Sequence, residues 1–337
     1  MNKFYIKSSE ELETILVNTA NEIEMHPAVV EKDYWVSFLL DYIFNKNKYS
    51  NFFTFKGGTS LSKCFNVIKR FSEDIDLILD WTLLGYETDQ PYIEWTISGQ
   101  SKFNTEMNKN TGVFLKEYFI KTLENDLKDF NLKFCIDKND ENTILCEYPN
   151  FFESDYLTQK IKLEIGCIAT TTPFKDIEVS TIIDEVYPNL FREKSIIRVI
   201  DPERTFWEKA LILHSVCNKP EDKTFNTRYA RHYYDLYCLA NSPYKDKALQ
   251  NIKLLKEVTE FKKKFYWIKY ANYDEVLENK KLKLIPSEFR IEQIRKDYID
   301  MRTMFYGEII EFDKILETLK NLEKEINDKL SKENVLN

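Results

Sequence analysis

Over the first 200 positions, apolar residues fall mostly in short runs and alternations between polar turns; from Asp201 onward they recur at helical spacing. Residues 8–24 and 28–45 read as helices, and Ser8-Ser9-Glu10-Glu11 offers a capping start for the first. Strands are predicted at 52–55 and 75–79, with a helix at 59–69 between them. Residues 84–112 are polar and turn-rich and read as a long loop or insertion, and 113–129 as a helix. Segments 132–136 and 143–148 read as a hairpin around Lys138-Asn139-Asp140-Glu141-Asn142. A further strand at 161–167 gives an antiparallel or mixed sheet of four or five strands, and 195–199 is a short final strand. Beyond it, Pro202 stands at a helix start, where its missing N–H costs nothing. Phe206, Ala210 and Leu213 share one face of that helix. Segments 226–241, 246–272 and 286–327 continue mostly helical. The pattern therefore predicts an α/β region over 1–200 and a helical region over 201–337, without internal repeats.

Composition narrows the picture. The 337 residues are 43% hydrophobic and 31% charged, with seven glycines and nine prolines, as in a globular protein with real cores. No apolar run approaches the roughly 20 residues that span a bilayer, and the N-terminal residues lack a signal-peptide apolar core. A cytoplasmic protein without membrane partners is the expectation. The six cysteines are scattered, with no C-x-x-C pair, and read as reduced thiols. With only His26, His214 and His232, a zinc hydrolase or a Ser-His-Asp enzyme has little support.

A net charge of −8 argues against binding nucleic acid over the whole surface. Charge is uneven, however. In 245–296 basic residues outnumber acidic ones and are interleaved with Phe261, Phe265, Tyr266, Trp267, Tyr270 and Tyr273. Such a segment, with Lys262, Lys263 and Lys264 at its centre, either contacts an RNA acceptor or is a solvated helix face over an aromatic core.

The chemistry concentrates in FTFKGGTSLSKCFNVIKRFSEDIDLIL, residues 53–79. A short apolar strand runs into Gly57-Gly58-Thr59-Ser60 and a helix. Asp74-Ile75-Asp76 then opens a second apolar strand. Residues i and i+2 of a strand share a face, so Asp74 and Asp76 point the same way. Two such carboxylates repel unless a cation or proton lies between them. Mg²⁺ commonly takes one or two carboxylates plus substrate phosphates. The glycines allow close backbone approach, and free N–H groups at a helix start attract anions. A phosphate cradle and a metal pair one helix apart suit metal-assisted nucleotidyl transfer; the plain alternative is a capped turn followed by two solvated acids. In Ile161-Lys162-Leu163-Glu164-Ile165, Lys162 and Glu164 share a face. They are a phosphate ligand and a third acidic group, or else solvated charges on an edge strand. Glu208-Lys209 lie inside an apolar helix. Asp235 lies in an aromatic run, either at a site or paired with Arg231 one turn earlier.

Four segments together resemble the AbiEii/AbiGii-toxin family, the nucleotidyltransferase-like toxins of bacterial type IV toxin–antitoxin systems related to the MenT toxins. They are VVEKDYWVSFLL (29–40), FKGGTSLSKCF…RFSEDIDL (55–77), DPERTFWEKALIL (201–213) and RHYYDLYCL (231–239). The resemblance implies a bilobed fold, a polymerase-β-like nucleotidyltransferase mixed sheet with helices and a C-terminal helical lobe, with the active site in the cleft. By position, Gly58 and Ser60 match the nucleotide-phosphate element, and Asp74 and Asp76 the metal pair. Lys162 and Glu164 fall on a K-x-D strand motif, in which Glu164 departs from the commoner Asp. Lys209 matches a lysine expected near the triphosphate, and Asp235 an aspartate that activates the acceptor hydroxyl. The implied activity is Mg²⁺-dependent transfer of a nucleoside monophosphate from an NTP to an RNA hydroxyl, the 3′ end of tRNA, causing growth arrest, with an antitoxin encoded nearby as partner. A small-molecule nucleotidyltransferase and a catalytically inactive binding protein of the same fold are the competing expectations.

Overall fold

The structure is a computed structural model that describes residues 3–6, 8–72, 74–154, 157–191 and 194–332. Two compact units account for the chain. One comprises Met1–Cys64 and Ser72–Ile200, the other Phe65–Phe71 and Asp201–Asn337.

The first unit opens with helices α1 (Ser9–Glu22) and α2 (Pro27–Asn45). Ser8 caps α1 by accepting from the Glu11 amide, and Pro27 starts α2 behind a His26 cap. Strand β1 (Phe53–Lys56) leads directly into helix α3 (Gly57–Lys63), and β2 (Asp74–Leu79) follows. Helix α4 (Ile97–Phe114) passes through a π-type turn (Leu115–Phe119) into α5 (Ile120–Asp126). Strands β3 (Lys133–Asp137), β4 (Asp140–Glu147), β5 (Lys160–Gly166) and β6 (Phe174–Val179), the short helix α6 (Ile183–Val186) and strand β7 (Ser195–Ile200) complete the unit.

These strands form one mixed sheet of seven, in the order β3-β4-β5-β2-β1-β7-β6. The pairs β2/β5 and β1/β7 are parallel, and the remaining pairs are antiparallel. Phe53, Phe55, Ile75, Leu77, Ile161, Leu163, Ile165, Ile197 and Val199 alternate along the central strands and are buried. Removing one such side chain from water stabilises by about 1.5–3 kcal/mol, so the period-2 pattern locks the register of the whole sheet.

The sheet exceeds the expected four or five strands. Strand β6 was not anticipated because its FKDIEV sequence is mostly exposed and only Val179 is buried, so the apolar signal is weak. The loop expected at 84–112 is in its second half helix α4. Its buried face is Phe103, Met107, Thr111 and Phe114, a helical spacing hidden among polar residues. The helix expected at 59–69 stops at Lys63, because the next residues, Phe65–Phe71, belong to the second unit.

In the second unit, α7 (Pro202–Cys217) starts with Asp201 as cap, its carboxylate accepting from the Glu203 amide. Helices α8 (Ala230–Ala240), α9 (Tyr244–Gln250), α10 (Ile252–Phe265), α11 (Tyr273–Leu277), α12 (Glu288–Asp300) and α13 (Phe312–Lys332) follow. Helix α8 is started from a distance: the Asp297 carboxylate of α12 accepts from the amides of Arg228 and Ala230. The core gathers Phe206, Trp207, Leu213, Leu236, Leu239, Ile315, Leu319 and Leu322. Segment Phe65–Phe71 is stitched into this unit. Arg70 bridges Phe305, the Phe71 amide donates to the Met304 carbonyl, and the Tyr306 amide donates to the Lys69 carbonyl.

Candidate active site

Strand β2 places Asp74 and Asp76 on one face of the sheet, both half-buried, with Ile75 and Leu77 buried on the other. Its neighbours add to that face. In the parallel register with β5, Asp74 lies opposite Lys162 and Asp76 opposite Glu164. In the antiparallel register with β1, Asp76 lies opposite Lys56. Paired residues of adjacent strands, about 4.8 Å apart, project to the same side. The face thus carries Asp74, Asp76 and Glu164 against Lys56 and Lys162. Glu164 is exposed, and the lysines are half-buried.

The turn from β1 into α3 closes on this face. Gly57 has φ +83°, a conformation that glycine adopts without strain. A Cβ at this position would lie 1.8 Å from Oδ2 of Asp76, so the carboxylate occupies the space a side chain would take. Both the angle and the contact require glycine. No side chain caps the start of α3, since the residue before it is Lys56, which has no acceptor. The residue before α3 thus leaves the first-turn amides uncapped from that side, the arrangement in which a helix start can receive an anion.

The hydroxyls of the motif have other work. Thr59 Oγ1 donates to the carbonyls of Asp74 (2.5 Å) and Ser72 (3.1 Å), tying α3 to the start of β2. Ser60 Oγ donates to the Gly57 carbonyl at 2.8 Å, and the residue is buried. In this structure the hydroxyl protons of both residues are engaged with main chain. What the turn offers an anion is backbone N–H from Gly57 and Gly58. Glu73, inside the same motif, lies outside the described residues.

Among the described residues no group of three or more His, Cys, Asp or Glu side chains converges as a ready metal cage. The donor set fits Mg²⁺ nonetheless. Two hard carboxylate oxygens beside a glycine turn leave the remaining positions for water and phosphate, the usual arrangement for that ion.

Lys209 and Asp235 meet in the second unit, on α7 and α8. Asp235 is fully buried, and Arg70 grips it in bidentate fashion, Nε to Oδ1 at 2.7 Å and Nη2 to Oδ2 at 2.9 Å. Lys209 Nζ lies 2.9 Å from Oδ2 and 3.0 Å from Nδ1 of His232. Burial alone would push the Asp235 carboxyl up. The Arg70 guanidinium and the Lys209 ammonium outweigh it and hold the carboxyl well below its usual range. Burial pushes Lys209 down, partly offset by Asp235. Burial, then the nearby Lys209 and Arg231 cations, holds His232 well below the usual imidazole range, so its Nδ1 accepts from Lys209. Tyr234 Oη, on the same helix, accepts from the Lys69 amide at 3.2 Å.

This geometry revises the reading of Asp235 as the base that activates the acceptor. A carboxylate bound by two cations and held at low pKa is a weak proton acceptor. Its partner is Arg70, far away in sequence, and not the Arg231 one turn earlier. Arg70, Lys56 and His232 have no site role in the sequence reading. The sequence carried a signal for both, since Arg70 opens the RFSEDIDL segment and Lys56 immediately precedes the glycines.

Lys262, Lys263 and Lys264 form the last turn of α10, where cations favour the helix dipole. Lys263 pairs with Asp274. Just beyond, Tyr266 and Trp267 are each 48% exposed, so aromatic surface lies beside the basic turn.

A family model described as "Nucleotidyl transferase AbiEii toxin, Type IV TA system" matches residues 38–318. Among solved structures, the chain is similar to MenT4, a nucleotidyltransferase toxin from Mycobacterium tuberculosis H37Rv, with 13% identity and a TM-score of 0.45, over 94% of this chain and 88% of that one. No curated protein sequence matches the chain. No helix among the described residues is long and apolar enough to cross a membrane.

Proposed function

We propose, from the premise that this chain belongs to the AbiEii family of nucleotidyltransferase toxins of type IV toxin–antitoxin systems, that it transfers a nucleoside monophosphate from an NTP to an RNA hydroxyl, with the 3′ end of tRNA as acceptor. The observation that carries the reading is the face of β2, where the Asp76 carboxylate abuts the Gly57 backbone and lies in register with Glu164. A carboxylate pair, a turn with uncapped amides and two lysines on one face are what an NTP with its metal needs.

Asp74 and Asp76 would hold Mg²⁺ together with the substrate phosphates. When bound, the ion supplies charge neutralisation at the phosphates during in-line displacement. The Gly57-Gly58 turn donates main-chain N–H to phosphate oxygens. Lys56 and Lys162 offset negative charge that develops on the leaving pyrophosphate. Glu164, exposed beside Asp76, takes the proton of the attacking hydroxyl. The new bond joins that oxygen to the α-phosphorus, and the α–β phosphoanhydride breaks as pyrophosphate departs. Asp235 contributes by anchoring Arg70, and with it the segment Phe65–Phe71 that connects α3 to β2. Lys262 and Lys264, with Tyr266 and Trp267 beside them, supply phosphate contacts and stacking surface to the RNA. An antitoxin is the implied cellular partner, and the cytoplasm the place of action.

Incubation with each α-labelled NTP and total tRNA in Mg²⁺ tests this. Label should enter tRNA with the wild type and not with Asp74→Asn or Asp76→Asn. A melting curve for each variant shows that it is folded. Near wild-type transfer by either variant would refute the metal assignment. Label entering only small molecules would replace the RNA acceptor by a small-molecule one.

A further inference from the structure

The segment VVEKDYWVSFLL takes no part in the chemistry described above, yet its three charged residues are all tied down. Glu31, Lys32 and Asp33 are consecutive on α2, and each reaches a different piece of the first unit. Glu31 is buried, and its two oxygens accept from the Phe151 and Phe152 amides at 2.8 and 3.3 Å. Lys32 is 0% exposed, and its ammonium donates to the Thr158 carbonyl at 2.7 Å and hydroxyl at 3.2 Å. Asp33 pairs with Lys63 at 2.5 Å through Oδ1 and accepts from the Ile182 amide at 2.7 Å through Oδ2.

Two of these contacts bear on the face that carries the carboxylates. Lys63 is the last residue of α3, the short helix that begins at Gly57. An isolated helix of seven residues is not stable in water, so its direction depends on what grips its ends. Thr59 grips one end at β2, and Asp33 grips the other. Both members of the Lys63–Asp33 pair are largely buried, with side chains 6% and 14% exposed. On the other flank, Thr158 Oγ1 donates to the Lys160 carbonyl at 3.3 Å, and Lys160 opens β5, which carries Lys162 and Glu164. Helix α2 also holds β7, since Asp41 Oδ1 accepts from the Ser195 hydroxyl at 2.9 Å. One buried helix thus fixes the ends of elements on both sides of β2.

We propose that Lys32 and Asp33 are positioning residues for nucleotidyl transfer: Asp33 sets the glycine turn through Lys63, and Lys32 sets Lys162 and Glu164 through Thr158. Neither touches substrate. Together they fix the separation between the phosphate cradle and the proton-accepting carboxylate. The inference rests on the transfer reaction proposed above.

Lys63→Met, Lys63→Arg, Asp33→Asn and the Lys63→Met/Asp33→Asn double variant test it, with kcat and KM for the NTP measured at low temperature on protein shown folded by near-ultraviolet circular dichroism. Misplacement of reacting groups by about 1 Å costs up to about 100-fold, so Lys63→Met should lose roughly 10–100-fold in kcat. Lys63→Arg keeps the pair and should stay within about threefold of wild type. The double variant should resemble the single ones, because each loses the Lys63–Asp33 pair while the Asp33→Asn side chain keeps an oxygen that can accept from the Ile182 amide. Lys32→Met, where it folds, should lower kcat and leave KM for the NTP near wild type. A Lys63→Met protein that melts earlier but keeps its kcat would overturn the inference and leave the transfer reading intact. Losses that multiply in the double variant would overturn it too. A wild type that transfers no nucleotide would remove the transfer reading, and this inference with it.

Discussion

Asp235→Asn should lower the melting temperature strongly. The substitution leaves Arg70 and Lys209 buried, close together and without the carboxylate that both of them face. Removing one partner of a buried ion pair costs about 3–5 kcal/mol, most of it the uncompensated charge. For a unit of this size each kcal/mol moves Tm by about 2–4 °C, so the shift should be roughly 6–20 °C. The pH dependence has a definite sign. The carboxyl is held below its usual value in the folded protein, so its contribution is present above the unfolded carboxylate pKa of about 3.9 and is lost as pH falls through the lower folded value. The gap between wild type and variant should therefore be constant between about pH 6 and 8 and close only in acid. Scanning calorimetry across that range is the assay. Lys209→Met, which leaves the bidentate Arg70 pair in place, should cost less. A variant as stable as wild type that nevertheless loses kcat would refute the anchoring role and restore Asp235 as a base.

Gly57→Ala should abolish transfer, because its Cβ would displace the Asp76 carboxylate and the backbone angle adds about 1–2 kcal/mol of strain; Mg²⁺–NTP binding by calorimetry should vanish with it, and an active variant would mean that the turn is not part of the site. Reversal of Lys262, Lys263 and Lys264 to Glu should weaken RNA binding and lower the log–log salt slope by roughly 0.7–0.9 per lost phosphate contact, while NTP affinity stays unchanged; an unaltered slope would leave these lysines as a solvated, dipole-stabilising turn. Lys56→Met should reduce NTP use without lowering Tm, read as KM and kcat against a melting curve, and an unchanged enzyme would remove Lys56 from the phosphate contacts.

What the sequence determined by itself is local. The i, i+2 spacing of Asp74 and Asp76 between Ile75 and Leu77 suffices to put both carboxylates on one face, because a strand has period two whatever it pairs with. The glycine pair before Thr59 marks the turn, and Pro202 behind Asp201 marks the start of α7. These signals need only a few consecutive residues. The tertiary structure alone decided which strand lies beside β2, and so that Glu164 and Lys56 flank Asp76. It also decided that Asp235 binds Arg70. Sequence proximity pointed to Arg231, one turn away on the same helix, but the burial of Asp235 demanded a cation inside the core, and segment Phe65–Phe71 delivers one there. The same packing ended α3 at Lys63, where helical pattern had carried it to residue 69, since the chain gains a strand-like bridge to Phe305 and a buried ion pair by leaving the helix. Periodicity reports which residues want to be buried, whereas the choice of partner is made between segments far apart in sequence, by the charge and space each finds inside the fold.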